Sequence, residues 1–297
     1  MPSIEAAFVS YSEGRAVVPP VGELLLESGE VHIKYGCMTG GAFYVVKVAS
    51  GFFNNSAHGL PSSNGLMLLF DQQTGELARI LLDRGLLTEV RTAVAGAIVA
   101  KCLAPPSVER IGIVGTGAQA RLQLQYLESI LPCRSVLVWG RDDGKLRQYG
   151  AEMEARGFAI ETTRDASDIL RRCQLVVTTT PAAAPILQSG DLRPGTHITA
   201  MGSDTPHKQE LDGAILAAAH VVVADSISQC RDRGEIHKAL QANHLDAARI
   251  VELGHVLRGS HPGRTRADQI TVADLTGVAV QDIAIASAVH RACHPST

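Results

Sequence analysis

Three polar side chains stand in places that suit acid–base and anion chemistry. Lys47 interrupts the apolar run Val45-Val-Lys-Val-Ala49. That run reads as a strand, and alternation puts Lys47 on one face with Val45 and Ala49. Two roles fit it: a charged guard on an edge strand, or a buried amine whose lowered pKa suits proton transfer or an imine substrate. Arg91 is expected in the first turn of an Ala-rich helix capped by Thr88, beside Thr92. A cation there opposes the helix dipole unless an anion is near. A substrate carboxylate and a structural ion pair to Glu89 or Asp83 fit equally well. Asp204 lies in Gly202-Ser-Asp-Thr-Pro206, just past the apolar run His197–Met201. The carboxyl end of a parallel strand is where open α/β sheets bind ligands. Asp204 is therefore a candidate base or orienter of a substrate amine, or a turn residue ahead of Pro206. Thr178-Thr-Thr180 ends another such strand, and the hydroxyls of Thr179 and Thr180 are candidates to touch a ribose.

A fourth feature implies a cofactor. Gly115-Thr116-Gly117-Ala118-Gln119-Ala120 follows the short apolar run Ile111–Val114 and opens a helical stripe with apolar residues at 122, 126 and 130. In that context Gly-x-Gly-x-x-Ala reads as a dinucleotide turn. Gly115 permits the tight turn, Gly117 admits a pyrophosphate, and Ala120 keeps helix and strand close. The helix N-terminus then offers N–H groups to the anion. An acidic residue ending the second strand would bind the ribose hydroxyl of NAD. Here Ser135–Trp139 is followed by Gly140-Arg141, then Asp142 and Asp143. Arg141 pairs well with a 2′-phosphate and tilts the reading toward NADP(H). With Arg141 solvated and Asp142 on the ribose, the cofactor would be NAD.

These residues need elements to hold them. From residue 106 to 275 apolar runs alternate with helical stripes: Ile111–Val114, Ser135–Trp139, Leu175–Thr180, His197–Met201 and His220–Asp225. That alternation defines an α/β fold with a Rossmann-type, doubly wound parallel sheet. Residues 1–105 read differently. Strands are expected at Glu30–Ile33, Tyr44–Ala49 and Leu66–Phe70, with a hairpin turn at Asp71–Gly75 and the Ala-rich helix from Thr88 to Leu103. This is a smaller α+β domain. Pro105-Pro106 forms the linker. The last helix, Val278 to about Arg291, is apolar and is expected to complete the first domain, which would then include 276–297.

Composition excludes several classes. The chain has 297 residues, 45% of them hydrophobic, and a formal charge of −3. It shows no basic stripe of the kind that nucleic acid requires. It has no apolar run of the roughly 18 residues a membrane span needs. Its six cysteines never fall at Cys-x-x-Cys spacing, which fits a reducing, cytoplasmic setting. No His-Glu-x-x-His occurs among the eleven histidines, and His290 and His294, four apart, sit at the tail. No metal site is expected. The partner is expected to be a small molecule.

Read together, the pieces resemble the ornithine cyclodeaminase/mu-crystallin family. The matching text is Val46-Lys-Val-Ala-Ser-Gly51, Gly59-Leu-Pro61, Asn64-Gly-Leu-Met-Leu-Leu-Phe70, Thr74-Gly-Glu76, Leu87-Thr-Glu-Val-Arg-Thr-Ala93, Gly115–Arg121 and Gly202-Ser-Asp-Thr-Pro-His-Lys-Gln-Glu-Leu211. The resemblance implies that the smaller α+β domain is the substrate and dimerisation domain, in a homodimer whose Lys47 and Arg91 face the substrate and whose Thr92 helps hold the cofactor phosphates. It also implies that Asp204 matches the catalytic aspartate of the cyclodeaminases. The lead reaction it implies is ornithine to proline and ammonia with recycled NAD. The alternative is an NADPH-dependent reductase of ketimines or cyclic imino acids such as pyrroline-2-carboxylate. A non-catalytic, mu-crystallin-like binding protein is the third reading. Asp204 supports the first and Arg141 the second. Two departures stand out. The family's N-terminal helix and strand precede the Ser12–Ala16 region, close to which this chain begins, so an edge strand is expected to be missing. An arginine that often follows the Val18-Pro-Pro20 stretch is replaced by Val21 and Gly22. The next cation, Lys34, is a candidate to take its place as a point charge, or an exposed strand residue.

Overall fold

The computed structural model describes residues 1–52 and 54–293. His294 lies outside them. Contacts divide the chain into two compact units, residues 1–92 with 277–297, and residues 93–276.

In the first unit α1 (Pro2–Ser12) is followed by β1 (Ala16–Val17), β2 (Gly22–Leu26), β3 (Gly29–Met38), β4 (Phe43–Gly51), β5 (Ser63–Asp71) and β6 (Leu77–Leu81). The strands form one antiparallel sheet in the order β1-β3-β4-β5-β6, with β2 paired to β3. The hairpin turn after β5 is set by Asp71, whose Oδ1 accepts from the N–H groups of Gln73 and Thr74, each at 2.8 Å. Alternation gives the sheet two distinct faces. One buries Val45, Met67 and Leu69 against Ile283 and Ala286 of the C-terminal helix, Ala279–Cys293. The other carries Ile33, Val48 and Leu66 as cross-strand neighbours, beside a second row of Tyr35, Val46, Leu68 and Ile80. Ile33 and Tyr35 are 39% and 40% exposed.

The strands outrun their expected lengths because the reading stopped where apolar residues stopped, whereas ladder hydrogen bonds continue through polar positions such as Ser63 and Asp71. The N-terminal helix was not expected at all. Its apolar positions Ile4, Ala7 and Phe8 are buried, and they follow the helical i, i+3, i+4 spacing.

Helix α2 (Leu86–Leu103) runs across the division between Thr92 and Ala93. It starts two residues before Thr88. Asp83, not Thr88, serves its first turn: Asp83 Oδ2 accepts from Leu87 N at 2.6 Å. Arg91 accordingly lies in the second turn.

The second unit contains β7 (Ile111–Val114), α3 (Ala118–Leu127), β8 (Ser135–Trp139), α4 (Asp143–Glu154), β9 (Ala159–Thr163), α5 (Ser167–Arg172), β10 (Leu175–Thr178) and β11 (His197–Ala200). Next come α6 (Gly213–Ala218), β12 (Val221–Ala224), α7 (Ile227–Cys230), α8 (Gly234–Gln241), β13 (Ile250–Glu252), α9 (Leu253–Arg258) and β14 (Thr271–Asp274); α10, Ala279–Cys293, returns to the first unit. The sheet is parallel, in the order β13-β12-β14-β11-β10-β7-β8-β9. Val176, Ile198, Val222 and Val272 are essentially inaccessible at its centre. Each such side chain contributes roughly 1.5–3 kcal/mol on burial. With both faces covered, the strands read as unbroken apolar runs. This is the Rossmann-like sheet that the alternation of elements indicated. Strand β14 went unread because Thr271-Val-Ala-Asp274 is short and ends on a carboxylate, although it lies between β11 and β12. Strand order reverses beside β7, so β7 and β10 flank the switch point where open α/β sheets take ligands.

Candidate active site

The loops after β7 and β10 meet at that switch point. Gly115 has φ +118, a conformation that other residues adopt only with strain. A Cβ there would lie 2.6 Å from Thr179 Oγ1 and 3.2 Å from Thr180 Cγ2. Thr179 closes the joint, its N–H and Oγ1–H both donating to Val114 O at 3.0 Å. The turn Gly115–Thr116–Gly117 then enters α3, whose N-terminus has no side-chain cap. A Cβ on Gly117 would meet nothing within 4 Å. Open space beside uncapped helix amides is a fit for a pyrophosphate. Ala118 begins the helix, and Gln119 is turned along it, accepting from Gln123 Nε2 at 3.3 Å. Arg121, which the sequence reading gave no role, donates to the carbonyls of Thr116 and Gly117 and so braces the turn. Ala120 is fully buried, and its carbonyl accepts from Tyr149 Oη at 3.0 Å.

Arg141 is exposed just past β8. Asp142 is occupied as the N-cap of α4, accepting from Lys145 N at 2.8 Å. Asp204, past the end of β11, is 2.8 Å from Lys208 Nζ. Its backbone carbonyl accepts from Arg233 Nη1 at 3.2 Å.

The first unit brings together the three expected cations. Lys34 on β3 and Lys47 on β4 are directly opposed in register, which places their Cβ atoms about 5 Å apart on one face. Lys47 is 1% exposed, Lys34 and Arg91 5% each. Since β4 lies between β3 and β5, Lys47 is no edge guard, and Lys34 is no exposed strand residue. The charge that holds Lys47 and Arg91 together is Asp282 on α10, which the sequence reading missed. Lys47 Nζ is 3.0 Å from Asp282 Oδ1 and 2.9 Å from Oδ2. Arg91 Nε is 3.1 Å from Asp282 Oδ1, and Arg91 Nη1 donates to Gln281 Oε1 at 2.9 Å. Thus neither Glu89 nor Asp83 is the ion-pair partner, and Asp282 rather than a helix N-terminus accounts for the guanidinium. Lys34 Nζ donates to Gly277 O at 2.8 Å. Gly277 has φ +82, and a Cβ there would lie 2.6 Å from Arg91 Nη1, so glycine is required for this approach. The polar pair Gln281-Asp282 inside an otherwise apolar helix was the available signal for Asp282. His32, on the same face as Lys34, lies 3.1 Å from Glu23 Oε1. Thr92 Oγ1 turns back to its own helix, donating to Thr88 O at 2.8 Å.

Three basic groups around one carboxylate bias proton affinity. Burial draws the Lys47 ammonium down to about 7; Arg91 adds to this, Asp282 opposes it, and Lys34 lowers it further. Lys47 can therefore exchange a proton near neutral pH.

A Rossmann-like sheet with an open glycine turn, joined in one chain to a buried lysine of near-neutral pKa, defines an enzyme that uses NAD(P). The chain belongs to the ornithine cyclodeaminase/mu-crystallin family, whose description matches residues 1–296. It is 45% identical over 289 residues to an uncharacterized cyclodeaminase of Sinorhizobium fredii, covering 95% of this chain and 87% of that protein. A solved archaeal alanine dehydrogenase dimer with bound NAD superposes with a TM-score of 0.89 at 31% identity, covering 98% of this chain and 89% of that one. The Thermococcus litoralis Δ1-pyrroline-2-carboxylate reductase, solved with NADH and L-proline, gives a TM-score of 0.90 at 27% identity, with 96% and 90% covered. The chain is an NAD(P)-dependent oxidoreductase of amino acids or their imines within this family.

Proposed function

We propose that the protein reduces an α-imino acid, such as a ketimine or cyclic imine, to the amino acid. The carrying observation is the buried convergence of Lys47 and Arg91 on Asp282, with buried Lys34 directly opposite Lys47 in the sheet. With Lys47 as the ammonium, the state that reduction needs, Lys34, Lys47 and Arg91 exceed the one carboxylate by two positive charges, which favours an anionic substrate. Arg91 and Lys34 hold that carboxylate and so align the α-carbon. When bound, the reduced dinucleotide supplies the hydride that the imine carbon accepts. Lys47, as the ammonium, hydrogen-bonds the imine nitrogen and supplies the proton that balances the hydride; in the reverse direction its amine takes that proton back. Thr92, Gly115 to Gln119, Thr179 and Thr180 are the residues proposed to hold the dinucleotide. Arg141 favours NADPH, because Asp142 is already committed to capping α4.

The solved relatives named for alanine dehydrogenation and pyrroline-2-carboxylate reduction support this over ring closure with loss of ammonia. Ring closure asks for Asp204 as a second base, and its carboxylate is ion-paired with Lys208. The experiment is a pair of incubations. Pyrroline-2-carboxylate with NADPH or NADH should oxidise the cofactor and yield proline. Ornithine with NAD yielding proline and ammonia, without net NADH, would return the assignment to the cyclodeaminase. Dinucleotide binding with neither reaction would favour a binding protein.

We further propose a homodimer through the open face of the first unit's sheet, where Ile33, Tyr35, Val46, Val48, Leu66 and Leu68 form two apolar rows across β3, β4 and β5. A partly exposed apolar face of this continuity, open most at Ile33 and Tyr35, suits an interaction site, and the archaeal relative is described as a dimer.

A further inference from the structure

Glu210 is fully buried, between β11 and α6, in the second unit. It was part of the quoted motif, but the chemistry above leaves it unused. Its Oε1 accepts from Thr180 N at 2.6 Å and from Thr180 Oγ1 at 2.7 Å, and its Oε2 from Gly202 N at 3.0 Å. One carboxylate thus ties the loop after β10 to the loop after β11. The fit is tight, since a Cβ on Gly202 would lie 2.4 Å from Glu210 Oε2 and 2.3 Å from Thr180 O. Glu210 is itself held: Glu235 Oε1 accepts from its N–H at 2.7 Å, and Glu235 Oε2 from Leu211 N at 3.1 Å. One residue past Glu235, the Ile236 N–H donates to Asp274 Oδ2 at 2.8 Å. Three buried carboxylates therefore run from the end of β14 to Thr180, each accepting backbone amides. Thr180 packs at the other end against the dinucleotide turn, its Cγ2 only 3.2 Å from where a Cβ on Gly115 would be.

We infer that Glu210 is a positioning residue for the dinucleotide: acting through Thr180 and Gly202, its carboxylate sets the separation of the two loops beside the Gly115 turn. A carboxylate can accept all three bonds, whereas an amide presents its NH2 group to at least one N–H donor and breaks the clamp. Burial pushes Glu210 up to about 7, which marks the clamp as costly to keep and in keeping with a role beyond folding.

The inference rests on dinucleotide binding by this family member and not on the identity of the substrate. Its test is a titration of the whole protein with NADPH and with NADH, without substrate, followed by Trp139 fluorescence. Glu210→Gln should raise Kd about tenfold, the loss of one charge-assisted hydrogen bond, at a temperature well below the melting point of the ligand-free variant, so that the stability lost with the unpaired buried N–H does not enter the Kd. Wild-type Kd in Glu210→Gln, or a weakened Kd that only follows a lowered melting temperature, would overturn it. Thr180→Val and Thr180→Ser provide a second route if Glu210→Gln does not fold. Valine removes the hydroxyl donor and should weaken binding several-fold; serine keeps the donor and should restore it. Equal affinities for the two would sink the inference. In the double variant Glu210→Gln/Thr180→Val the two effects should be less than additive, and strict additivity would contradict action through Thr180. Absence of dinucleotide binding by the wild type would instead refute the cofactor assignment, a separate result.

Discussion

In the proposed reduction Lys47 carries the proton transfer. Lys47→Met should lower turnover by roughly 10²- to 10⁴-fold, the range for loss of a positioned acid–base group, while dinucleotide Kd stays within error. The pH dependence follows from a pKa drawn down to about 7. Imine reduction needs the ammonium, so its kcat should fall as pH rises through about 7. Amine oxidation needs the free amine and should rise through the same range. Rate profiles in both directions, on one enzyme preparation, check this, and a profile flat between pH 6 and 8 would count against Lys47. Asp282 predicts a different kind of loss. Removing its charge in Asp282→Asn leaves Lys47 and Arg91 buried without their anion, at a cost on the order of 3–5 kcal/mol. Urea unfolding should show that loss as a lower midpoint. At the adenosine end, Arg141→Ala should reduce the preference for NADPH over NADH by about tenfold, the worth of a charged hydrogen bond. Equal ratios in the two proteins would reassign the arginine to the solvated surface.

In the proposed cofactor site the element that matters most is the β7–turn–α3 unit, whose open turn and uncapped helix amides, not a functional group, would receive the pyrophosphate. Gly115→Ala forces a Cβ into a residue at φ +118 and to 2.6 Å from Thr179 Oγ1. Dinucleotide affinity, read by the same titration, should drop by roughly 5- to 150-fold, the equivalent of the 1–3 kcal/mol that a strained backbone costs. The unit was legible from sequence since everything it needs is local: an apolar run, glycines at fixed offsets, and a helical stripe. Helix α2 was legible in extent but not in register. Its start at Leu86 depends on Asp83, outside the periodic segment. Shifting the start by two residues moved Arg91 out of the first turn and replaced a helix-dipole argument with an ion pair to α10. Strand β14 was invisible for the complementary reason. Four residues carry no period, and only pairing with β11 and β12 makes them a strand.

For the whole molecule, the proposed homodimer would cover the open face of the first unit's sheet. Light scattering on the purified protein should give twice the mass of 31.5 kDa. A charge placed in the apolar row, Val48→Asp, should shift it to the monomer, since an unpaired charge at a buried interface costs several kcal/mol. A wild-type monomer at micromolar concentration would refute the assembly. Among the described residues no helix is long and apolar enough to cross a membrane.

The sequence by itself determined the parts whose meaning is local. The glycine turn with its flanking run and stripe nominated a dinucleotide site, and the alternation of elements specified the parallel sheet. The chain of motifs from Val46 to Leu211 specified the family. It also picked Lys34, Lys47, Arg91 and Asp204 as the side chains to watch, but left each with two roles. Only the tertiary structure placed three of them, Lys34, Lys47 and Arg91, in the interior. Lys47 became an interior amine because β4 pairs on both edges. Lys34 came to face it through the register of β3, and Arg91 found its anion on a helix nearly two hundred residues away. Asp282, Glu210 and β14 share one property: what each does depends on partners distant in sequence. Side chains brought together by folding carry no spacing in the chain, so a linear reading can nominate them, but only packing can pair them.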